Sequence, residues 1–444
     1  MRIGRFANAP IWRNTDFVRL WTAGTVSMFG SFITRTALPF AAILVLHAGP
    51  LDLAWLRALE IVGGVFLGLL AGAWVDRLRR RPVMVAADLG RAVLLGSIPI
   101  AAVFGALGMT QLLVVTFVAA AMTTFFDVAD RSLLPTVVDR DQLVSANSAI
   151  SASESAAEFS SFAMGGFLVQ LLTAPIAIAI DAVSFVISAV LITRIRRPEP
   201  PPPAVSTREP VLKEIRAGIA LVASDPVLRA LTAASAAAHF LWGVFGAVYL
   251  LFATQEIGLG PAAIGVIAGV GGASSFAGAV LASRTARRFG VGPSLIGGML
   301  LFAIGNAFIP LAPSGAVAVG ALFLILQQLV ADSAATLSDV AETSLRQSIV
   351  EARSLGRVIA TTEVASHTVM LLATILGGIL AEAFGLRAAM VVGLLGGLSG
   401  ALILWFSPIR TMRGGLPVAG PSATGPDALA DMGHGAAAGD PPEL

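Results

Sequence analysis

The stretch GAWVDRLRRRPVMVAADLGRA, residues 72–92, places a cluster of charged residues between two long apolar segments. The charged residues of its turn are one acid and four arginines: Asp76, Arg77, Arg79, Arg80 and Arg81. Apolar segments joined by so short and so charged a turn are typical of two membrane helices whose connection lies in water. The stretch therefore predicts a helical hairpin of an integral membrane protein.

The composition agrees with this interpretation. Of the 444 residues, 56% are hydrophobic and 13% are charged, whereas soluble domains contain about 25% charged residues. A soluble chain could not bury this much apolar surface, so lipid is the expected solvent. The formal net charge of +2 gives no reason to expect a nucleic-acid partner. Because the chain has no cysteine, disulfides, thiolate catalysis and Cys-ligated metal sites are excluded.

The apolar segments are long enough to cross a membrane, which takes roughly 20 residues per helix. Twelve spans are predicted, at 17–46, 53–76, 82–105, 110–134, 144–172, 175–194, 228–254, 262–283, 292–312, 315–338, 357–382 and 386–407. The fold class is therefore an all-α integral membrane protein with twelve transmembrane helices.

Arginines collect in alternate connections, and Arg387 is the plain exception. Arginine-rich loops remain in the cytoplasm, so both termini and the central connection are predicted to be cytoplasmic. The predicted domains are a cytoplasmic N-terminus (1–16), an N-terminal six-helix bundle (17–194), a cytoplasmic linker with an amphipathic helix (195–227), a C-terminal six-helix bundle (228–407) and a disordered cytoplasmic tail (408–444).

The two halves carry the same landmarks in the same order. The pairs that recur 212 residues later are Gly165-Gly166 with Gly377-Gly378, and Val138-Asp139 with Val350-Glu351. The arginine turn recurs 207 residues later in a blurred form that contains Arg284, Arg287 and Arg288. This parallel duplication predicts two pseudo-symmetric bundles with a substrate site between them, near the middle of the bilayer.

These residues resemble the major facilitator superfamily. The loop signature of that family, between spans two and three, matches Gly72, Asp76, Arg77, Arg80 and Arg81, while Arg79 stands where the family usually has glycine. Later segments resemble the proton-driven efflux branch that contains macrolide, multidrug and enterobactin exporters. These segments are Asp88 to Ala92, Phe125-Phe126, Leu134-Pro135, Asp141 to Asn147, Gly165-Gly166 and Asp181 to Phe185.

The resemblance implies that the arginine turn belongs to a gate. Asp76 would meet a helix N-terminus and an arginine of the other half when the cytoplasmic side closes. The further gating candidates are Asp88, Arg91, Arg284, Arg287 and Arg288. Asp88 and Arg91 are three residues apart on one helix face and could equally form a structural pair. The alternative for the arginines of the turn is that they only fix the topology.

Span five carries a polar stripe along an apolar helix. Its members, at spacings of four and three residues, are Asn147, Ser151, Glu154, Glu158 and Ser161. Because such a stripe would be costly in lipid, we expect it to line a water-filled cavity. Glu158 and Glu154 are therefore candidates for the proton carrier, and the alternative is that serines or an arginine satisfy them permanently.

Other ionisable residues inside spans are functional candidates by default. They are Arg35, Glu60, Asp127, Asp332, His239, Glu363 and His367. Arg35 needs a counter-ion, for which Glu158 or Glu60 is available, while Arg57 and Glu60 could also pair with each other. Asp127 and Asp332 fall near corresponding depths of spans four and ten. Asp127, with Asp130 and Arg131, is close to the cytoplasmic end, where a gate network is as plausible as a proton site. The histidines are as often hydrogen-bonded packing residues as titrating groups.

The sequence contains no phosphate-binding loop, no paired-histidine metal spacing and no nucleophile elbow. We therefore expect no enzyme activity, no cofactor and no metal site. The expected function is a monomeric secondary transporter in the cell membrane. It would export a hydrophobic or amphipathic small molecule by proton antiport and alternating access, with cargo, protons and the lipid bilayer as its partners. The alternatives are an importer or facilitator of a small organic solute, and a membrane sensor or scaffold that moves no cargo.

Overall fold

The computed structural model describes residues 10–75, 77–199 and 211–412. Within these ranges every regular element is helical. The helices up to residue 199 are α1 (Thr15–Val45), α2 (Pro50–Ile61), α3 (Gly68–Val75), α4 (Arg80–Val103), α5 (Met109–Val137), α6 (Leu143–Leu172) and α7 (Ala174–Thr193). Those from residue 211 onward are α8 (Val211–Ser224), α9 (Pro226–Leu251), α10 (Pro261–Phe289), α11 (Val291–Asn306), α12 (Phe308–Leu311), α13 (Val317–Gln327), α14 (Ser333–Ile349), α15 (Ala352–Phe384) and α16 (Leu386–Trp405).

Ten helical segments of the described chain are long and apolar enough to cross a membrane. Predicted spans two and five are not among these ten. Span two is divided into α2 and α3 by a π-helical turn at Val62–Phe66, and span five is the 30-residue helix α6, of which residues 163–172 are apolar. The count of twelve spans and the cytoplasmic side of the termini stay predictions.

The helices pack into two groups. In the first group α1 packs on α6 and α7, and α4 packs on α5 and α7. In the second, α9 packs on α15 and α16, while α14 packs on α10 and α11. We call the side where α1 begins and α7 ends the linker side, and the opposite side the far side. Residues 1–9 and the predicted disordered tail from residue 413 lie outside the described residues.

The repeated glycine pairs occupy equivalent positions in the two bundles. Gly165 packs on Thr36 of α1, and Gly377 packs on Val244 of α9. Their neighbours face the opposite bundle, because a methyl group at Gly166 would overlap the carbonyl oxygen of Pro261 and one at Gly378 would overlap Ala54.

These cross-bundle contacts lie on the far side. Gly166 is near the end of α6, while Pro261 begins α10 and Ala54 is near the start of α2. The glycine pairs therefore let the backbones of the two bundles meet at that end of the molecule. The same helix pairs, α6 with α10 and α2 with α15, carry much of the packing between the bundles.

Arg387, the exception to the charge pattern, is part of a far-side clamp. Its guanidinium donates to Glu256 Oε2 at 2.9 Å and to the carbonyl oxygen of Ala312 at 2.7 Å. It also donates to Ser314 Oγ at 2.9 Å and to the carbonyl oxygen of Pro310. A single side chain thus joins the end of α9, the turn before α13 and the start of α16, which accounts for an arginine on this side.

Candidate functional site

The arginine turn contacts the linker. The backbone N–H groups of Arg80 and Arg81 donate to Glu199 Oε1 at 2.6 Å and Oε2 at 3.4 Å. The guanidinium of Arg81 donates to the carbonyl oxygen of Ile195 at 2.9 Å. A carboxylate at the N-terminus of a helix is favourable, because the first N–H groups of the helix have no partner within it. Glu199 was not among the predicted residues, although it is an acid in a basic linker.

Other predicted gating residues occupy the linker side without a shared site. Asp76 lies outside the described residues, and Gly72 lies within α3. Arg77 is exposed, as are Arg284, Arg287 and Arg288 near the end of α10. The guanidinium of Arg288 stacks over the ring of Phe289 at 5.5 Å.

The linker is also attached to the first bundle at a second place. Asp16 accepts hydrogen bonds from the backbone N–H groups of Arg196 and Arg197, the latter at 2.8 Å. The guanidinium of Arg197 reaches Asp139 at 2.8 Å and the carbonyl oxygen of Val137 at 2.9 Å. The start of the linker therefore lies along the linker side of the first bundle.

Asp88 and Arg91 form an ion pair in the interior of the first bundle. Arg91 Nη2 donates to Asp88 Oδ1 at 2.5 Å, and the two residues are 0% and 1% exposed. Arg91 Nη1 donates to Thr123 at 3.1 Å. Its guanidinium stacks over Phe185 at 4.0 Å and Phe126 at 4.7 Å. The pair lies between α4, α5 and α7, as expected for a structural pair, and its part in a gate stays a prediction.

Four acids occupy one depth of the two bundles, and we call them the interior acids. Asp127 lies ten residues before the end of α5, and Asp339 ten residues before the end of α14. Glu154 lies eleven residues into α6, and Glu363 eleven residues into α15. At about 1.5 Å per residue, all four are about 15 Å from the linker side.

The interior acids interact in pairs within each bundle. The charge of Glu154 acts on Asp127, and that of Glu363 acts on Asp339, although all four side chains are exposed. The predicted stripe members Asn147 and Ser151 are exposed too, whereas the side chain of Glu158 lies outside the described ones. The acids of each pair come from different helices and lie close enough for their charges to interact.

Asp339 and Glu342 were missing from the predicted candidates. They stand 212 residues after Asp127 and Asp130, the same offset as the repeated glycines. That offset was the sequence feature from which both residues could have been predicted. Glu342 also pairs with Arg346, one turn further along α14. The sequence predicted that Asp332 lies at the same depth as Asp127. In the structure Asp332 lies elsewhere, packed against Gly271 of α10 and close to Tyr249.

The two histidines of the second bundle face each other. The rings of His239 and His367 are 5.2 Å apart. Each Nδ1 lies within 2.9 Å of a backbone carbonyl oxygen, that of Ser235 or Glu363. A carbonyl oxygen can only accept, so Nδ1 is the ring nitrogen that carries the hydrogen. Within the described residues, no group of three or more His, Asp or Glu side chains is arranged to hold a metal ion.

An ion cluster lies nearer the far side. Glu60 pairs with Arg57 at 2.5 Å and with Arg35 at 3.5 Å. The predicted Arg57–Glu60 pair forms, but it is not an isolated pair, because Arg35 also uses Glu60 as a counter-ion. Arg57 Nε also lies 3.9 Å from where a methyl group on Gly246 of α9 would stand, so the cluster reaches the second bundle.

Comparisons with a family model and with related proteins indicate the same family. The model of the Major Facilitator Superfamily matches residues 20–335. YfiS of Bacillus subtilis (strain 168), an uncharacterized MFS-type transporter, is 24% identical over 392 residues, which cover 86% of this chain and 91% of YfiS. Macrolide efflux protein A of Streptococcus pyogenes is 23% identical over 235 residues, 53% of this chain and 58% of that protein.

A solved structure matches almost the whole chain. The bacterial homologue of the human lysosomal transporter Spinster, in its inward-facing and unoccupied conformation, superposes with a TM-score of 0.68. The match covers 91% of this chain and 98% of that one at 15% identity. At this identity the likeness is one of fold.

Proposed function

The chain belongs to the major facilitator superfamily and is thus a membrane transporter, and from this premise we propose that it exports a hydrophobic or amphipathic small molecule by proton antiport. The two bundles give access to one side of the membrane at a time. The protein acts as a monomer in the cell membrane, with twelve spans and both termini in the cytoplasm. Its partners are the cargo, protons and the bilayer.

The equal depth of the four interior acids carries this proposal. An ionised acid that faces lipid is costly, whereas one that faces water can bind and release protons. Asp127 and Glu154 belong to the first bundle, and Asp339 and Glu363 belong to the second, all with exposed side chains. We assign the two pairs to facing walls of one aqueous path. Two matching walls of exposed acids in apolar bundles are what a proton-coupled transporter with a central aqueous path requires.

The far-side contact supports alternating access. The backbones of the two bundles meet at Gly166 and Gly378, while the interior acids about 15 Å from the linker side are solvent-exposed. Transport then requires the far-side contact to open and the linker side to close. The arginine turn, which α4 places on the linker side, is suited to the closing step.

The acids also bear on the cargo. Carboxylates on both walls attract a positive charge, so an amphipathic cation fits this interior better than the organic anion that an importer would take. The name of macrolide efflux protein A, a partial relative, supports export as the direction.

Efflux of ethidium, an amphipathic cation, tests the proposal in energised inverted vesicles from a host without its major pumps. We expect uptake into the vesicles that a protonophore abolishes. The double variant Asp127→Asn/Asp339→Asn should require about tenfold more ethidium for half-maximal transport, equivalent to about 1.4 kcal/mol of lost attraction. Asp141→Asn, on the exposed turn before α6, is the matched control.

Uptake equal to that of vesicles without the chain would favour the sensor or scaffold. Uptake that a protonophore leaves unchanged would contradict proton antiport. Growth of the same host on a panel of antibiotics, with and without the chain, would then identify the cargo class.

A further inference from the structure

The interior of the first bundle contains a third charged residue beside the Asp88–Arg91 pair. Asp181 of α7 is 0% exposed, as is Asp88, and Arg91 is 1% exposed. The charge of Arg91 acts on Asp181 as well as on Asp88. Asp181 was visible in the sequence only as part of a family segment, although an acid inside a span is by itself a sign of function.

Hydrogen bonds satisfy only part of the Asp181 carboxyl group. Its Oδ1 accepts from Ser184 Oγ at 2.9 Å, whereas Oδ2 has no hydrogen-bond partner among the described residues. Thr34 of α1 faces the same carboxyl group. The guanidinium of Arg91 donates from Nη2 to Asp88 at 2.5 Å and from Nη1 to Thr123 at 3.1 Å, while its Nε has no hydrogen-bond partner among the described residues. Its hydrogen bond to a carboxylate is therefore the one to Asp88.

The charges of this interior do not balance. From α4, Asp88 and Arg91 face Asp181, while α1 contributes Thr34 and the backbone of Gly30. From α5, Asp127 faces Arg91. Within the described side chains, two fully buried carboxyl groups thus share one guanidinium. An uncompensated buried carboxylate is strongly unfavourable, and it is avoided when one of the two acids takes up a proton.

We propose that Asp181 is a proton-binding site, protonated in this conformation, and that its proton is the one exchanged for cargo. The inference rests on the proposed antiport and adds the residue that carries the proton. Asp88 keeps the ion pair with Arg91, so Asp181 is the acid left without a cation. Binding converts its carboxylate and one proton from water into a neutral carboxyl group, and release reverses this.

Asp127 supplies the route to water. It is exposed to the interior, and its charge acts on Arg91 from one helical turn beyond Thr123. A proton that leaves Asp181 therefore has an acid on the aqueous side of Arg91 to receive it. The interior acids and the buried site thus form one path from the cavity into the first bundle.

Gly30 couples this proton to movement. A methyl group at Gly30 would overlap Asp181 Oδ1, so the backbone of α1 lies directly on the carboxyl group. Loss of the proton would leave the Asp181 carboxylate ionised against α1. This charge would need hydration, and water can reach it only if α1 shifts. Arg91 belongs to α4, whose first residues bind Glu199, so the same event also acts on the arginine turn.

Infrared titration of the purified protein tests the site without any cargo. The probe is the C=O stretching band of protonated carboxyl groups, recorded from neutral to alkaline pH. We expect the wild type to show this band at neutral pH and lose it at alkaline pH. Asp181→Asn keeps the shape and should lose the component that titrates, while Asp141→Asn should match the wild type. A titrating band that survives unchanged in Asp181→Asn overturns the proposal.

A second variant protects the test against misfolding of the first. Ser184→Ala removes the hydrogen bond to Oδ1, so the band should move to higher frequency, and an unshifted band also overturns the site. The two proposals fail separately. If Asp181→Asn loses the band but the wild type shows no proton-driven ethidium transport, Asp181 is a proton site and antiport is refuted. Antiport with an unchanged band would place the carrier elsewhere.

Discussion

Glu199 Oε1 accepts a hydrogen bond from the backbone N–H of Arg80 at 2.6 Å, so an acid of the linker closes the N-terminus of α4. The same oxygen lies 3.6 Å from the Arg80 guanidinium, and the Glu199 side chain is only 6% exposed. The arginine turn and the linker therefore form one unit in this conformation. Any movement that recruits the turn as a gate must first change the contacts of Glu199.

Replacing Glu199 with glutamine should loosen the linker. A carboxylate at a helix N-terminus contributes about 0.3–1 kcal/mol, and up to about 2 kcal/mol when it is partly buried. We expect Glu199→Gln to lower the free energy of unfolding by about 1–2 kcal/mol and to speed proteolysis of the linker. Thermal unfolding in detergent and limited proteolysis measure both effects.

Glu351→Gln is the matched control, because Glu351 pairs with an Arg353 side chain that is 77% exposed. Such a surface pair contributes about 0–1 kcal/mol. Equal effects of the two variants would show that Glu199 has no special role on α4.

The helical architecture could be predicted because the spans are long apolar runs, several of which are followed by glycine or proline. The break of span two could not, since VGGVF at residues 62–66 is as apolar as its neighbours. A π-helical turn depends on how the segment packs, and a single sequence contains no direct sign of it. The arginine turn was visible in the sequence, but its partner Glu199 was not, because it lies 119 residues from Arg80.

The site was predictable where physics demands a partner. Arg35 requires a counter-ion, and Glu60 is one of the two acids that the sequence offers for it. Position along the predicted spans gave the wrong counterpart, because it matched Asp127 with Asp332. The 212-residue repeat leads instead to Asp339. The burial of Asp181 depends on the approach of α1 at Gly30, a contact between distant parts of the chain.

Gly166→Ala should weaken the far-side contact. The added methyl group would overlap the carbonyl oxygen of Pro261, and overpacking typically costs about 1–3 kcal/mol. Because this cost falls only on the state in which the bundles touch there, the far side should open more often. The chain has no cysteine, so a single introduced thiol can report on access through maleimide labelling. Ala54→Cys places this thiol at a residue that is 0% exposed and packs on Gly378 in the same far-side contact.

We expect the labelling rate to rise about tenfold for a shift of about 1.4 kcal/mol. Gly24→Ala is the control, since a methyl group at Gly24 has no atom within 4 Å. Identical labelling in the two backgrounds would mean that the glycine contact does not hold the far side.

Arg387→Ala should destabilise the far-side clamp. The change removes hydrogen bonds to Glu256 and to two carbonyl oxygens. Hydrogen bonds to charged groups contribute about 1.5–3 kcal/mol each, and partial exposure of the pair reduces this. We expect a loss of about 2–3 kcal/mol, measured by thermal unfolding. Arg353→Ala, an exposed pair, should change stability by about 0–1 kcal/mol, and a similar loss for both would refute the clamp.

Gly30 and Asp181 should be energetically coupled, because the backbone of α1 rests on the carboxyl group. Gly30→Ala alone should cost about 1–3 kcal/mol through overpacking, as the buried oxygen has no space to retreat. Asp181→Ala removes that oxygen and should relieve its share of the overlap, while the share of Ser184 Oγ remains. The double variant should therefore be more stable than the sum of the single effects by about 0.5–3 kcal/mol. Additive losses in thermal unfolding would separate α1 from the carboxyl group and remove the link between proton binding and helix movement.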